Sequence, residues 1–232
     1  MSGLQYNATT GEPLLRLPPP FTNIIITPPR MSDVAPSVRI MNDPAVYAFM
    51  GRSTPYSEAI AEKWITKVKA VCDGVVVEVR RGETETAVSG CPVRHIREEC
   101  ADGTEVYIGD VGLGRSPFTE VADRDERARL VAENEARKPG DPEIVWHVGY
   151  YLAPSHHGRG LMTAAVGTII TQWGIPRMRI KCMRSSAFEG NLGSLKVLQK
   201  NEFVVVDFLE EHVQVGEEKK GLHVLKWNPA RM

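Results

Sequence analysis

The chain has 232 residues, 42% of them hydrophobic and 25% charged, with a formal net charge of −1. That length accommodates one well-buried core and barely two domains, and the composition is that of an ordinary globular protein. Near-neutral charge gives no footing for nucleic acid or an acidic membrane surface, and no apolar run approaches the ~20 residues that span a bilayer. Cys72, Cys91, Cys100 and Cys182 lack CxxC spacing and read as reduced, packed thiols. With no charged-then-apolar leader, the cytoplasm, or the nucleus, is the expected compartment.

Residues 1–21 end in Leu17-Pro18-Pro19-Pro20 and read as an N-terminal arm on the surface, with a single domain over 22–232. Asn23-Ile24-Ile25-Ile26-Thr27 is β-branched and bounded by prolines, a first strand. Ser32 and Asp33 are expected to cap a helix towards Met41, and Asp43-Pro44 starts a second short turn. Ser57 begins a stronger helix with Ile60, Trp64, Val68 and Val71 as its buried stripe, broken at Asp73-Gly74; Val75 to Val79 reads equally as strand or buried connection. Pro92 to Glu98 and Val106 to Leu113 form a hairpin across Asp102-Gly103. The charged stretch around 115–142 alternates acids and bases at helical spacing and reads as a solvated helical insertion, with a partner-docking arm as the alternative.

Ile144 to Leu152 predicts a strand, and Gly160 to Trp173 a helix with Met162, Val166, Ile169 and Trp173 on one face, stopped by Gly174 and Pro176. Met178 to Met183 reads as a strand, Ser185-Ser186 as loop, 192–200 as a short helix, and 203–215 and 222–227 as two last strands. Interleaved strands and helices with a few hairpins predict a mixed α/β sheet with helices on both faces and no internal repeat.

Chemistry concentrates between the strand ending at Leu152 and the helix starting near Gly160. Glycines 158 and 160 leave backbone N–H groups uncovered at a helix start, a place suited to an anion such as a phosphate. A Walker loop is excluded because no lysine follows the glycines, and a dinucleotide fingerprint is disfavoured by Thr163 at its sixth position. Adjacent His156 and His157 diverge and lack a third ligand at useful spacing, so no metal is expected. Cys182 is read as a structural thiol rather than an acyl carrier.

The segment Trp146 to Pro154 leading into Gly158-Arg159-Gly160 resembles the central motif of the GNAT N-acetyltransferases, whose anion loop reads Q/R-x-x-G-x-G/A. Asn191-Leu192-Gly193-Ser194-Leu195-Lys196-Val197-Leu198-Gln199-Lys200 is similar to the N-x-x-S block of the branch containing the ribosomal-protein N-terminal acetyltransferases of the RimJ and RimL type. Asn42-Asp43-Pro44-Ala45-Val46 and Gly109-Asp110-Val111-Gly112-Leu113 are similar to two further blocks of that branch, in the same order. Ser155 departs from the motif's Gln or Arg, leaving that contact absent or replaced by Arg159, and Glu202 stands where a glycine is common, so that Asn201 is expected to take the left-handed turn.

The resemblance implies a GNAT-like, mostly antiparallel twisted sheet of about seven strands. It also implies acetyl-coenzyme A as cosubstrate and transfer of acetyl to a primary amine by direct attack in a ternary complex. A protein or peptide N-terminal amine is favoured; a small-molecule amine and a non-catalytic coenzyme-binding module are the alternatives. Amides around Tyr151 and Leu152 would hold the pantetheine chain and polarise the carbonyl, and those of His157, Gly158, Arg159, Gly160, Leu161 and Met162 the pyrophosphate. Asn191 would contact the coenzyme near its thioester, and Ser194 would protonate or hydrogen-bond the thiolate. Glu143 and His147, four residues apart on one strand face, are both candidates for the base, beside a water relay with no single base. The acceptor itself is not legible, and monomer and dimer both stay open.

Overall fold

The computed structural model describes residues 3–51, 55–81, 87–215 and 218–228. The triple isoleucine run forms a strand (Ile24–Thr27) whose four residues are all buried. It is paired on both edges, because the segment before it is not a surface arm. Pro13–Arg16 forms a strand antiparallel to it, and Gln5–Tyr6 pairs outside that one. Leu14, Leu15 and Leu17 lie in the core, so the apolar triplet before the prolines corrects the arm reading: burial of three leucines outweighs the proline-rich tail that follows. Taking these strands as β1 (Gln5–Tyr6), β2 (Pro13–Arg16) and β3 (Ile24–Thr27), they also explain why the sheet exceeds the expected seven strands.

Three helices follow: α1 (Val34–Met41), α2 (Pro44–Tyr47, capped by the Asp43 side chain on Ala45 N–H at 2.9 Å) and α3 (Glu58–Arg80). The buried stripe of α3 is Ala61, Ile65, Val68, Cys72 and Val75, one residue out of phase with the expected one; Ile60 and Val71 are exposed. Small Ala and Cys side chains make up part of this stripe, and a search for large residues passes over them. Gly74 does not break the helix, since glycine costs about 1 kcal/mol in a helix interior without removing a hydrogen bond.

The hairpin appears as β4 (His95–Glu99) and β5 (Glu105–Arg115), turning at Gly103 with φ 83°. Asp33 stands at the N-cap position of α1 as expected, but its side chain makes no cap bond and is buried beneath them. It accepts from His95 Nδ1 at 2.6 Å and Arg97 at 2.7 Å, while Arg94 grips Asp110 with two 2.8 Å bonds. The charged insertion holds α4 (Arg124–Ala136), anchored at its C-terminal end, where Arg115 of β5 donates to the Asn134 and Arg137 carbonyls. There the buried Asn134 amide exchanges 2.9 and 3.0 Å bonds with the backbone of Val145, as a neighbouring strand would.

Then come β6 (Val145–Leu152), α5 (Leu161–Ile169), a π-helical turn at Ile170–Gly174 and α6 (Ile175–Met178). Gly174 and Pro176 therefore do not stop the helix. Proline is tolerated in the first turn of α6, and Arg179 at φ 55° ends it instead. The strand expected at 178–183 lies later, as β7 (Cys182–Phe188), so Ser185 and Ser186 are strand residues and not loop. α7 (Leu192–Lys200), β8 (Phe203–Val215) and β9 (Glu218–Trp227) complete the chain. Glu202, not Asn201, takes the left-handed conformation, with φ 66°.

Sheet order is β1-β2-β3-β4-β5-β6-β7-β9-β8, antiparallel except for β6 and β7. Trp146, Val148 and Leu152 join Leu161, Val166, Ile169 and Trp173 in the main core, and a smaller cluster of Met41, Val46, Tyr56 and Ala61 lies under α1–α3.

Candidate active site

The site begins where the parallel pair fails. β6 and β7 are in register only at Val145–Cys182, Trp146–Met183 and His147–Arg184, whereas β6 stays paired with β5 as far as Leu152. Beyond His147 the two strands diverge and leave one edge of β6 open. Strand alternation decides which amides face that opening. Ser116 N–H donates to Val145 and Ala153 N–H to Ile108, so odd-numbered residues of β6 turn their polar groups to β5. Tyr150 and Leu152 therefore present their N–H groups to the opening, while Tyr151 faces its partner Asp110.

The opening continues into a cavity of about 490 Å³ reaching the first turns of α5 and α7. Gly158 and Gly160 have φ of 72° and 82°, a conformation that side chains with a Cβ resist. A Cβ on Gly158 would meet nothing within 4 Å, so the loop's open face belongs to the cavity. Gly160 caps α5, and the helix's first amides, from Leu161, Met162 and Thr163, edge the same space. Such unpaired donors at a positive helix end suit a diphosphate.

His157 lines the cavity and spends its Nε2–H on the Leu152 carbonyl at 2.8 Å, tying the loop back to the strand. His156 reaches Glu98 at 3.1 Å and takes its other bond from Ser155 at 2.9 Å, so the two imidazoles go to separate partners. Arg159 is exposed and does not line the cavity, leaving the loop's contribution to its backbone. No group of three metal-ligating side chains occurs among the described residues.

On the far wall Asn191 caps α7, its side chain accepting from Ser194 N–H at 3.0 Å. That bond fixes Ser194 in the first turn. Its hydroxyl then meets the Tyr150 hydroxyl at 2.8 Å, and both residues line the cavity. Tyr150 stands within the motif that singled out the loop, yet nothing in the spacing of a strand and a distant helix points to this contact. Tyr151, on the face of β6 opposite Tyr150, bonds Tyr107 hydroxyl to hydroxyl at 2.6 Å.

The two candidate bases are not brought to the cavity. Glu143 precedes β6, is exposed, and pairs with Arg137 at 2.7 Å. His147 is on β6, half-buried and away from the cavity lining, and desolvation pushes its imidazole below the usual histidine range against the opposing bond to the Arg184 backbone. Nearby, Arg184 binds Glu120 at 2.6 Å, and His212 of β8 donates to Thr119 O at 2.8 Å. The start of the charged insertion is thereby laid against β7 and β8. Opposite, Phe188 packs on Gly51, and Lys220 of β9 donates to Ala48 O at 3.3 Å.

A family model described as the acetyltransferase (GNAT) domain matches residues 23–204. The chain belongs to the GNAT acetyltransferase family. Acetyl-coenzyme A is that family's cosubstrate. Among solved structures, the fold is similar to that of the apo RimL ribosomal L7/L12 α-N-protein acetyltransferase, with TM-score 0.59, 13% identity, and coverage of 97% of this chain and 98% of that one. Mycobacterium smegmatis RimJ, solved with a coenzyme A disulfide, gives TM-score 0.57 at 17% identity over 95% of this chain and 88% of that one. The ribosomal-protein-S5-alanine acetyltransferase of Vibrio fischeri gives 0.57 at 16% identity over 90% and 97%. These likenesses establish the fold. A curated relative, the probable N-acetyltransferase YjcK of Bacillus subtilis (strain 168), is 28% identical over 69 residues, which is 30% of this chain and 38% of that protein.

Proposed function

We propose that the protein transfers acetyl from acetyl-coenzyme A to the N-terminal amine of a protein or peptide, by direct attack, in the cytoplasm. The observation that carries this reading is the convergence on one cavity of the Gly158–Gly160 loop, the free amides of Tyr150 and Leu152, and Ser194 at the start of α7. The loop and α5 amides would neutralise the diphosphate, and the open strand edge would hold the pantetheine as a neighbouring strand. The amine would arrive through the gap between β6 and β7, from the face bounded by α2 and the β8–β9 hairpin. Attack needs a neutral amine. With Glu143 turned to Arg137 and His147 outside the cavity lining, deprotonation is assigned to solvent rather than to a protein base. The protein-amine acceptor is supported by the RimL, RimJ and S5-alanine acetyltransferases among the similar folds.

The test is a screen of N-terminal peptides and small amines, reading release of free coenzyme A. Turnover on peptides supports the reading, and turnover on small amines alone replaces the acceptor. Binding without any turnover would make the chain a coenzyme-binding module. A melting temperature unmoved by saturating acetyl-coenzyme A would overturn the assignment of the cavity.

A further inference from the structure

The Tyr150 hydroxyl has one proton and two acceptors within reach. It donates to the Ser194 carbonyl at 3.2 Å and shares a shorter 2.8 Å contact with Ser194 Oγ. Ser194 also has one hydroxyl proton. When Tyr150 donates to the carbonyl, Ser194 Oγ–H points back at the phenol; when Tyr150 donates to Oγ, the serine proton is released into the cavity. The backbone holds both oxygens in place. Asn191 locks the first turn of α7 through Ser194 N–H, and the ring of Tyr150 packs on the main core from β6. Ser194 is the third residue of α7, where the positive helix end favours an anion.

We infer that Tyr150 is a positioning residue that acts through Ser194, the two hydroxyls forming a switchable pair that turns a serine O–H onto the thiolate of coenzyme A as it departs. This rests on the acetyl-transfer reading of the cavity. In the overall exchange the nitrogen lone pair forms the new C–N bond, the C–S bond breaks with its electron pair left on sulfur, and the proton lost by nitrogen reaches sulfur through solvent. Neither hydroxyl changes its proton count. Burial pushes the Tyr150 phenol well above its ordinary range, so it stays a donor at every working pH. A serine donor on a thiolate needs no acidity of its own, because the charge-assisted bond itself lowers the energy of the anion.

The test needs no acceptor. The affinity of coenzyme A is compared with that of desulfo-coenzyme A, which lacks only the thiol, across about pH 7 to 9, the range in which a thiol of ordinary pKa ionises. Tyr151, His156, His157, Lys196 and Lys200 also border the cavity and meet both ligands alike, so the affinity ratio isolates the sulfur. The hydroxyl pair predicts that this ratio rises about sixfold in favour of coenzyme A over the range, as a lowering of the bound thiol by about one pKa unit requires. Tyr150→Phe and Ser194→Ala should each flatten the rise to under about twofold, their combination should do no more than either alone, and Ser194→Thr should restore it. A ratio flat with pH in the unmodified protein, or a full rise in Tyr150→Phe, overturns the inference while leaving the cavity assignment standing. Failure of both ligands to bind overturns the cavity assignment, and the inference with it.

Discussion

Gly158 shows what one missing side chain does. Its φ of 72° and the empty space beyond its Cα leave the loop amides accessible. Gly158→Glu is expected to abolish the thermal shift with acetyl-coenzyme A, by filling the cradle and repelling a diphosphate, with about 1–2 kcal/mol of stability lost to the left-handed conformation. A calorimetric titration beside a melting curve separates the two effects. His147 makes a different prediction. Its folded pKa lies below the ordinary value of about 6.5, so the unfolded chain takes up the proton first as pH falls. No penalty exists above about pH 6.5, and stability declines as pH drops from there towards the folded value. His147→Gln should lessen the loss of melting temperature between about pH 7 and 5. An unchanged loss would remove His147 from the acid response.

At the scale of elements, α4 depends on Asn134 more than on its own face. Asn134→Ala removes both bonds to Val145; the Val145 C=O keeps the 2.8 Å bond from Ser116 N–H, but its half-buried N–H loses its partner at the start of β6. The expected cost is about 1–3 kcal/mol, measured by denaturant unfolding. The sequence reading found this helix by its charges, yet the residue that anchors it is one asparagine among many polar ones. The same contrast runs through the chain. Strands with β-branched runs or a turn glycine, such as β3 and the β4–β5 hairpin, were legible, as was the glycine loop, because there local conformation and function make the same demand. The phase of α3 was missed because its buried stripe uses Ala61 and Cys72. β7 was placed early because Met178 and Ile180 are buried by tertiary packing at the end of a continued helix, not by strand alternation. Likewise Tyr150 and Ser194 stand 44 residues apart and meet only when β6 and α7 are folded.

For the whole molecule, the joint between sheet and α1–α3 is electrostatic as well as apolar. Burial alone would raise the Asp110 carboxyl, but Arg94 and His95 hold it down at about 2, and His95 and Arg97 overcome burial to lower Asp33 too. Both carboxylates therefore contribute stability that is complete above about pH 4 and lost as pH falls towards the folded values. Asp110→Asn leaves the half-buried Arg94 without its counter-charge and is expected to cost about 2–4 kcal/mol and to weaken the dependence of unfolding on acid. The short register between β6 and β7 has a mechanical consequence. Among the described residues, three rungs, Val145–Cys182, Trp146–Met183 and His147–Arg184, are the only ladder joining one leaf of six strands to another of three. On the proposed reading, a coenzyme lying along the open edge of β6 and reaching α7 would act as a stitch across this seam. Its arrival should slow amide hydrogen exchange in β7 and β9, well beyond the residues that line the cavity, so that loading the donor also tightens the leaf against which the acceptor is measured.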